Sequence, residues 1–255
     1  MLKRPSITAF FPACNDAGTI GSMVAAVYGA LETLTDDFEV LVIENGSTDY
    51  TKEVLETLAK HYPNLRVFTY NEPLGYGGAL RKAFAKATKD LIFYTDGDAQ
   101  YNPLELQLLV PALQDDIAIV QGWKTDRNDP FHRILIGRLY NWFVRLIFGL
   151  KPRDVDCDFR LIRRNVFDVI DLESDSGTIC LELVKKLQDA GFQFAEVPVQ
   201  HYLRTYGKSQ FFNFPRLWRT GIQLLELWWK LVIQRSHLRQ IAERRANLPK
   251  ETTQN

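Results

Sequence analysis

Two aspartates separated by one glycine are the residues whose spacing points most directly to chemistry. Asp96 and Asp98 follow the apolar run 91–95, which predicts a strand, and Gln100 stands two residues later. Two carboxylates at one strand end repel each other unless a divalent cation binds between them, and Mg²⁺ takes one or two carboxylates together with substrate phosphate oxygens. This spacing predicts a Mg²⁺ or Mn²⁺ site at Asp96, Asp98 and Gln100. The alternative is a simple Asp-Gly turn in which Asp98 caps the next helix.

The elements that must position these carboxylates follow an alternating pattern. Strands are predicted at residues 6–11, 38–43, 65–69, 91–95 and 117–121, and helices at 19–33, 51–61, 78–86 and 103–113. This β-α-β-α order predicts a parallel sheet covered on both faces, and such sheets bind ligands beyond the carboxyl ends of their strands. Polar residues, among them Asn15, Asp16 and Glu44, follow the first two strands. We expect them to share one sheet edge with Asp96 and Asp98.

The second half of the chain has a different pattern. Residues 131–148 are rich in aromatic residues and arginine, 159–162 and 194–199 resemble strands, and 178–190 resembles a helix. Neither a repeat nor a flexible linker is visible in the sequence. We therefore predict one continuous domain over residues 1–210, a C-terminal amphipathic helical region over 211–245 and a loose tail over 246–255.

Composition excludes several classes of protein. The chain has 255 residues, of which 46% are hydrophobic and 24% charged, which excludes a disordered chain, a collagen and a disulfide scaffold. Three widely spaced cysteines favour a reducing compartment. No secretory signal is visible at the start, and the longest charge-free run, 17–31, is shorter than the roughly 18–20 residues that span a bilayer. We expect a cytoplasmic location without a spanning helix.

Charge is divided unequally along the chain although its net value is zero. Residues 1–123 contain 9 Lys and Arg against 16 Asp and Glu, so the remaining residues carry the compensating positive charge. An acidic first half suits cation binding and a basic second half suits phosphates. The alternative is that this division reflects a random distribution of surface charge. We predict no nucleic-acid partner.

Seven motifs follow one another along residues 5–212. They are PACND at 12–16, VLVIENGSTDYT at 40–51, LGYGGALR at 74–81, DGDAQ at 96–100, GWK at 122–124, DFR at 158–160, and EVPV at 196–199 with RTYG at 204–207 and Ser209. In this order they resemble the inverting nucleotide-sugar glycosyltransferases of family 2, and more closely dolichyl-phosphate mannose synthase and undecaprenyl-phosphate glycosyltransferases. Glu44 and Asn45 stand where the family usually has two aspartates, Cys14 replaces a common tyrosine, and Asp16 replaces a glutamate.

The resemblance implies both a fold and a donor site. The implied fold is α/β, a GT-A-type (Rossmann-like), mostly parallel sheet with helices on both faces, plus C-terminal amphipathic helices. The implied activity is metal-dependent transfer of a hexose, mannose or glucose, from a GDP- or UDP-sugar to a polyprenyl (dolichyl or undecaprenyl) phosphate. The residues implied to bind the nucleotide sugar are Pro12, Asn15, Asp16, Ile43, Glu44, Gly75, Asp96, Gly97 and Lys124.

The acceptor decides whether the reaction needs a general base. A sugar hydroxyl must lose a proton, and the nearest candidate bases are Asp154, Asp156 and Asp158. A phosphate monoester, with a second pKa of about 6, is already largely dianionic at neutral pH and needs cationic guides instead. The predicted catalytic residues are Asp98, Arg204, Asp156 and Asp158, and the predicted acceptor-phosphate residues are Arg133, Arg204, Lys208 and Ser209.

Two further alternatives stay open at the level of sequence. A non-catalytic nucleotide-sugar binder is favoured only by the unusual Glu44-Asn45 pair. Residues 211–236 contain three tryptophans beside arginines, which is typical of a helix lying in a lipid headgroup region. That composition predicts a peripheral protein on the cytosolic membrane face, but a helix packed on its own domain or in a homo-oligomer has a similar sequence.

Overall fold

The computed structural model describes residues 4–127, 131–204, 206 and 214–248, with the backbone alone at 126–127, 131–133 and 214–217. Its strands form a seven-stranded sheet in the order β3-β2-β1-β4-β6-β5-β7. The pairs β1–β2, β1–β4, β2–β3 and β5–β7 are parallel, whereas β6 runs antiparallel to both of its neighbours. The strands are β1 (Ile7–Ala13), β2 (Phe38–Asn45), β3 (Leu65–Tyr70), β4 (Leu91–Thr95), β5 (Ile117–Arg127), β6 (Phe159–Arg163) and β7 (Gln193–His201).

Helices cover both faces of this sheet, as predicted. In chain order they are α1 (Ile20–Leu34), α2 (Thr51–His61), α3 (Gly75–Lys86), α4 (Leu106–Leu109), α5 (Phe131–Phe148), α6 (Val166–Val169), α7 (Ile179–Asp189), α8 (Phe214–Trp228) and α9 (Ser236–Asn247). A 3₁₀ turn, Pro103–Glu105, precedes α4, and a π-helical segment, Trp229–Gln234, follows α8. None of the helices in the described ranges has both the length and the hydropathy needed to span a bilayer.

Alternation along each strand divides the core between the two faces. In β4, Leu91 and Phe93 belong to the apolar cluster under α1, α2 and α4, whereas Ile92 and Tyr94 belong to the cluster under α3, α6, α7 and α9. Because both faces are covered, the central strands are almost wholly apolar, which is why their short hydrophobic runs were visible in the sequence. The α/β class with a mostly parallel sheet is confirmed.

Several elements differ from the sequence prediction. The helix predicted at 103–113 is one 3₁₀ turn and four residues of α4, because Pro111 has no amide hydrogen to continue the α-helical pattern. The amides of Ala112 and Leu113 instead donate to the carbonyls three residues earlier, at 3.1 and 3.2 Å. Strand β5 continues from 121 to Arg127 because β7 pairs with its second half. The antiparallel β6 was not foreseen, since periodicity does not show strand direction.

The C-terminal helices pack on the domain. A third apolar cluster joins Val144 and Phe148 of α5, Val184 of α7, and Leu227 and Leu231 around the end of α8. The indole of Trp228 donates a hydrogen bond to the carbonyl of Ile147, 3.1 Å away. Helix α9 is fixed by a 2.7 Å contact between His237 and Asp189 and by burial of Ile241.

Candidate active site

The carboxyl ends of β1 and β2 carry two loops that hold each other in place. The side-chain oxygen of Asn15 accepts hydrogen bonds from the backbone amides of Thr48, at 2.8 Å, and Asp49, at 3.3 Å. In return, the amide of Asp16 donates to the hydroxyl of Thr51 at 2.9 Å. Asn15 therefore positions the loop after β2, and this contact occupies its side-chain oxygen.

The loop after β4 lies directly against the end of β1. A Cβ atom on Gly97 would come within 2.7 Å of the carbonyl oxygen of Pro12, so only glycine permits this approach. The hydroxyl of Thr19 donates to the carbonyl of Gly97 at 3.1 Å, which fastens the same loop to the start of α1. These contacts bring Asp96 and Asp98 to the edge that Asp16 occupies, as the sequence predicted.

The reversed strand β6 adds a second pair of carboxylates to this edge. Because β6 is antiparallel to β4, its first residue, Phe159, pairs with Thr95 at the carboxyl end of β4. The residues just before β6, Asp156 and Asp158, consequently lie beside those just after β4. We call the resulting group the acid cluster; it consists of Asp16, Asp96, Asp98, Asp156 and Asp158.

Burial, with repulsion between neighbouring carboxylates, raises the pKa values of Asp16, Asp96, Asp98 and Asp156. Burial raises the pKa of Asp96 well above its usual range, and the charges of Asp158 and Asp98 raise it further. Burial likewise raises the pKa of Asp98, although the charge of Arg204 opposes the effect. Burial raises the pKa of Asp16 to about 6 and that of Asp156 to about 6. The ionised forms of these four carboxyl groups are therefore unfavourable in the absence of a cation, and a bound cation would stabilise them.

Both carboxylates of the metal motif already have partners in the chain. One oxygen of Asp96 accepts a hydrogen bond from the hydroxyl of Tyr76 at 2.7 Å. One oxygen of Asp98 accepts from the backbone amide of Gln100 at 3.1 Å, and the other forms an ion pair with Arg204. Arg204 is thus placed at the acid cluster, which is where the sequence predicted it.

Gln100 contacts the loop after β7 through the NH2 group of its side chain, and its role as a metal ligand stays a prediction. Its side-chain amide donates to the carbonyl of Tyr202 at 3.1 Å, and its backbone carbonyl accepts from the amide of Tyr202 at 2.8 Å. These two bonds attach the loop after β7 to the loop after β4. The ring of Tyr206 lies against Gly18, where an added Cβ would meet it at 2.3 Å, and gives the same loop another anchor.

The donor set fits a divalent cation that a ligand completes. Asp96 and Asp98 offer the hard carboxylate oxygens that Mg²⁺ and Mn²⁺ prefer, in a buried setting where a cation would stabilise their ionised forms. No cluster of three or more His, Cys, Asp or Glu side chains with metal-binding geometry is found in the described ranges. The residues present therefore suit a cation held by these two aspartates together with phosphate oxygens of a ligand.

The side chains in and around the implied nucleotide-binding loop after β2 make hydrogen bonds within the protein or are buried in its core. One oxygen of Glu44 accepts from the amide of Ser47 at 2.6 Å, so this side chain caps the loop after β2. Asn45 accepts from the amide of Leu74 at 2.7 Å and donates to the carbonyl of Gly75 at 3.2 Å, and this clamps the start of α3. The side chain of Ile43 is fully buried in the core.

The glycine-rich motif packs against the protein rather than forming an open turn. A Cβ on Gly75 would lie 2.3 Å from the carbonyl of Asp175, and one on Gly77 would lie 2.3 Å from that of Ser174. The amide of Gly77 also donates to the carbonyl of Asp175 at 3.0 Å. These glycines start α3 at residue 75, three residues before its predicted start, and let it approach the segment before α7. The proximity of Asp175 explains the glycines without a ligand; contact of Gly75 with a nucleotide stays a prediction.

Asp158 is oriented by a buried network that sequence reasoning missed. One oxygen of Asp158 accepts from the hydroxyl of Tyr94 at 3.3 Å and from the thiol of Cys180 at 3.0 Å, and it pairs with Arg160 at 3.5 Å. Arg160 is fully buried and also donates to the carbonyl of Val155 at 2.7 Å. An arginine in the middle of an apolar strand was the available signal, because a buried charge needs partners.

Lys124 lies between the acid cluster and a neighbouring cavity. Its ammonium donates to the carbonyl of Asp156 at 2.8 Å, and its amide donates to the carboxylate of Asp154 at 3.3 Å. The cavity has a volume of about 220 Å³ and contains Lys124, Arg138 and Arg153 in its lining, with Asp154 as the acid. Sequence reasoning did not single out Arg138 or Arg153, although Arg138 stands at helical spacing from Asn141, which also lines the cavity.

Three predicted acceptor residues cannot be placed at this site. Lys208 and Ser209 lie outside the described residues, and for Arg133 the structure describes only the backbone, in the first turn of α5. Arg204 is therefore the predicted acceptor residue whose contacts are established.

Comparison with known proteins agrees with this architecture. The model of the family described as Glycosyl transferase family 2 matches residues 8–171. Glycosyltransferase AglD of Haloferax volcanii is 32% identical over 237 residues, which cover 89% of this chain and 38% of the relative. The undecaprenyl-phosphate 4-deoxy-4-formamido-L-arabinose transferase of Enterobacter sp. (strain 638) is 26% identical over 213 residues, which cover 83% of this chain and 64% of that protein. The chain thus spans less than two thirds of the length of these relatives.

Solved structures share the fold at low sequence identity. Glucosyl-3-phosphoglycerate synthase of Mycobacterium tuberculosis, in complex with Mn²⁺, UDP and glucosyl-3-phosphoglycerate, matches with a TM-score of 0.67 and 20% identity over 89% of this chain and 79% of that one. The same enzyme with Mg²⁺ and UDP matches with a TM-score of 0.65 and 19% identity, again over 89% of this chain and 79% of that one. These matches establish the likeness of the fold.

Proposed function

The chain belongs to glycosyltransferase family 2, and on this premise we propose that it moves a hexose, mannose or glucose, from a nucleoside diphosphate sugar to a polyprenyl phosphate. The observation that carries the proposal is the contact between the acid cluster and Arg204, which places carboxylates for a divalent cation beside a guanidinium for an anionic acceptor. A relative named for undecaprenyl phosphate supports this class of acceptor.

Donor binding is assigned to the carboxyl edge of β1, β2 and β4. Asp96 and Asp98 would hold Mg²⁺ or Mn²⁺, which when bound supplies a Lewis acid for the diphosphate leaving group. The loop carrying Asn15 and Asp16 and the loop capped by Glu44 form the adjoining wall, where the nucleoside is expected. Solved structures of the same fold that contain Mn²⁺ or Mg²⁺ with UDP support this choice of ligand.

The proposed transfer needs no general base. An oxygen of the acceptor phosphate forms a bond to the anomeric carbon while the bond from that carbon to the diphosphate oxygen breaks. The electron pair leaves with the nucleoside diphosphate, and the anomeric configuration inverts. Because a phosphate monoester has a second pKa of about 6, the attacking oxygen carries no proton to remove at neutral pH. The side chain of Arg204, 32% exposed, is the cation available to turn from Asp98 to this phosphate.

A hydroxyl acceptor is the second candidate, and the raised pKa of Asp156 favours it. Burial raises the pKa of this carboxyl to about 6, which is close to the ideal value for a general base that works near neutral pH. In that case the acceptor would be a sugar hydroxyl in glycan or glycolipid assembly, and Asp156 or Asp158 would receive its proton.

One exposed apolar surface supports a peripheral position on the cytosolic face of a membrane. Helix α8 and the π-helical segment after it carry a stripe of large apolar side chains, 44–69% exposed, which we call the α8 stripe: Trp218, Ile222, Leu225, Trp229 and Ile233. Arg219 and Lys230, both exposed, flank it with positive charge. The opposite face, with Leu227 and Leu231, is buried against α5 and α7. Packing on the domain, one of the two alternatives raised by the sequence, thus applies to the buried face of this helix, and the membrane role is proposed for the exposed face.

This arrangement underlies the proposed domain organisation. Residues 1–210 form the catalytic domain, and residues 211–245 form a helical appendage that attaches to it through α5 and α7 and faces the membrane with the α8 stripe. Residues 249–255, most of the predicted tail, lie outside the described residues. The alternative to membrane binding is that the α8 stripe forms a contact between two copies of the chain.

A transfer assay tests the proposed function. Labelled GDP- and UDP-hexoses are incubated with undecaprenyl or dolichyl phosphate and Mg²⁺ or Mn²⁺, and the lipid fraction is analysed by mass. We expect a glycosyl phosphate lipid from one donor, and none after Asp98→Ala. A product formed only with hydroxyl acceptors would support the second candidate. Nucleotide-sugar binding without turnover on any acceptor would indicate a binding protein and contradict both.

A further inference from the structure

We propose that Tyr76, in the glycine-rich motif at the start of α3, is a positioning residue for the carboxylate of Asp96. Its hydroxyl holds one oxygen of this carboxylate and so presents the other oxygen to the divalent cation. The inference rests on the proposed function, since it takes Asp96 to be a ligand of Mg²⁺ or Mn²⁺. It adds to the donor site a residue outside the metal motif and gives a reason why the first turn of α3 is fixed.

The contact between Tyr76 and Asp96 is a hydrogen bond of normal length. The hydroxyl of Tyr76 donates to Oδ1 of Asp96 at 2.7 Å. An ionised carboxylate only accepts hydrogen bonds, so the tyrosine is the donor. Within the part of the chain that the structure describes, no hydrogen bond of Oδ2 of Asp96 is found. One oxygen of Asp96 is therefore held by the protein, and the other can bind a cation.

Packing of the Tyr76 ring fixes the position of its hydroxyl. The ring lies against the apolar cluster under α3, α6, α7 and α9, as does the side chain of Leu74. A tyrosine side chain has only two torsions, so little conformational freedom remains once its ring is packed. The hydroxyl then lies at the carboxyl end of β4, where it reaches Asp96.

The first turn of α3, which carries Tyr76, lies directly on the segment 173–176. A Cβ on Gly77 would come within 2.3 Å of the carbonyl oxygen of Ser174, so only glycine permits this approach. The amide of Gly77 donates to the carbonyl of Asp175 at 3.0 Å. The backbone next to Tyr76 is therefore held from outside the helix.

A buried ion pair in α7 holds this segment in turn. Glu182 and Lys186, which are 1% and 2% exposed, form an ion pair at 2.7 Å. The carboxylate of Glu182 also accepts from the amides of Glu173, at 3.0 Å, and Ser174, at 2.9 Å. A buried pair whose oxygens have these further partners makes a rigid support. The first turn of α3 is thus positioned by the core of the domain.

Tyr76 gives Asp96 a different role from that of Asp98. The oxygens of Asp98 accept from the amide of Gln100, at 3.1 Å, and pair with Arg204, so a cation must compete for this carboxylate with a guanidinium. The hydroxyl of Tyr76 is neutral and can stay on its oxygen when a cation binds the other one. Asp96 is thus the ligand oriented in advance. Hydrogen bonds to a ligating carboxylate fix its orientation, and their loss costs about 10- to 100-fold in metal affinity.

A pair of tyrosine variants tests this role. Tyr76→Phe removes the hydroxyl and keeps the ring, and the affinity for Mn²⁺ is measured by electron paramagnetic resonance in the presence of UDP or GDP. We expect it to fall by about 10-fold. In the matched control, Tyr28→Phe, the lost hydroxyl accepts from the amide of Asn64 at 2.6 Å, and its ring packs on Phe38 at the amino end of β2. The control should keep the wild-type affinity. Unchanged affinity in Tyr76→Phe, or an equal loss in Tyr28→Phe, would overturn the proposal.

A double-mutant cycle distinguishes positioning from a general loss of structure. In Asp96→Asn, the new amide keeps an acceptor for the hydroxyl of Tyr76 by turning its oxygen to Tyr76 and its NH₂ group to the cation. Mn²⁺ affinity should then fall by about 100-fold. In the Tyr76→Phe background the amide can turn its oxygen to the cation, so Asp96→Asn should cost about 10-fold or less. Equal costs in the two backgrounds would overturn the proposal, because Tyr76 would then act independently of Asp96.

Backbone variants test whether the first turn of α3 sets the position of Tyr76. Gly77→Ala must displace this turn, because its Cβ would meet the carbonyl of Ser174. It should weaken Mn²⁺ binding several-fold in the wild-type background and have little further effect beside Tyr76→Phe. Gly29→Ala in α1, where an added Cβ meets nothing within 4 Å, is the control and should keep the wild-type affinity. Wild-type affinity in Gly77→Ala would contradict this link.

The same measurements separate this inference from the proposed function. A wild-type protein that binds no Mn²⁺ with either nucleotide would overturn the metal role of Asp96 and Asp98 in the proposed function, and the positioning role of Tyr76 with it. Tight Mn²⁺ binding by the wild-type protein, with additive effects of Tyr76→Phe and Asp96→Asn, would overturn the positioning role alone.

Discussion

Arg204 forms an ion pair with Asp98 and so connects two loops that are 106 residues apart in sequence. The carboxylate that is best placed to receive a divalent cation is therefore occupied by a cation of the chain itself. In the proposed function, a divalent cation would compete with Arg204 for Asp98, and the guanidinium of Arg204 would then be available to an acceptor phosphate. The exposed position of Arg204 on a loop allows this exchange, whereas buried Arg160 stays under the acid cluster throughout.

Removing Arg204 should therefore have opposite effects on two ligands. Arg204→Gln should tighten Mn²⁺ binding in the absence of donor, because no guanidinium competes for Asp98. It should also lower kcat/KM for the lipid acceptor by about 10- to 100-fold, the value of a charge-assisted hydrogen bond. Electron paramagnetic resonance of Mn²⁺ and initial rates measure the two effects, with Arg239→Gln as control. Weaker Mn²⁺ binding in Arg204→Gln would contradict the exchange.

Stability in the absence of metal and nucleotide should fall as pH rises through the acid cluster's range. Burial raises the pKa of Asp16 from 3.8 to about 6, so the folded protein binds a proton that the unfolded chain has lost. The resulting cost to stability is absent below pH 4, grows between pH 4 and 6, and is complete above. Asp16→Asn, which keeps an acceptor for the amide of Cys14, should raise the unfolding free energy at pH 7.5 by about 2 kcal/mol.

Denaturant unfolding at several pH values checks this prediction. The gain from Asp16→Asn should vanish below pH 4, where both states carry a protonated carboxyl. Asp116→Asn, at an exposed position, should change stability by less than about 0.5 kcal/mol throughout. A gain of the same size at pH 4 and pH 7.5 would show that ionisation of Asp16 is not its cause.

The buried guanidinium of Arg160 should be essential to the fold. Arg160→Met leaves Asp158, Gln121 and Tyr94 without their shared partner and should cost about 3–5 kcal/mol of unfolding free energy. Arg163→Met on the same strand removes bonds to two backbone carbonyls and should cost about 1 kcal/mol. Urea midpoints measure both variants. Equal losses of unfolding free energy in the two variants would contradict the prediction that the buried guanidinium of Arg160 stabilises the fold more than an ordinary strand arginine does.

The α8 stripe should bind lipid surfaces through the residues that it exposes. Replacing Trp218, Leu225 and Trp229 together by serine should reduce sedimentation with anionic vesicles by at least tenfold, because each exposed side chain loses its apolar area. Trp228 is excluded from the set because its indole is bonded to Ile147. Tyr50→Ser, at a position 76% exposed, is the control. Unchanged vesicle binding by the triple variant would contradict a membrane role and indicate that the α8 stripe contacts protein.

The fold was largely predictable because local signals decide it. Short buried strands and amphipathic helices were recognised from periodicity, and the polar loops after β1, β2 and β4 do meet at one edge. The antiparallel direction of β6 has no local signal, so the sequence proposed Asp158 as a base without indicating why it lies beside Asp96. Direction is set by the connection through α5 and by pairing with two strands that are distant in sequence.

The site was predictable in its carboxylates but not in their partners. Asp96, Asp98 and Arg204 come together as expected, whereas Gln100 binds Tyr202 and the glycines of α3 pack on Asp175. A motif specifies which residue types stand near a ligand, but the hydrogen bond that each side chain makes depends on loops that meet only in the folded chain. Arg138 and Arg153 were missed for the same reason, since 15 residues of sequence separate them and the cavity brings them together.

Binding of Mn²⁺ together with the nucleoside diphosphate shows whether the carboxylates after β4 form a metal site. The claim is that Asp96 and Asp98 hold a divalent cation against a diphosphate. Electron paramagnetic resonance should show Mn²⁺ bound to the wild-type protein more tightly when UDP or GDP is present, and Asp98→Asn should lower that affinity by about 100-fold while Asp116→Asn leaves it unchanged. Undiminished Mn²⁺ and nucleotide binding by Asp98→Asn would contradict the account.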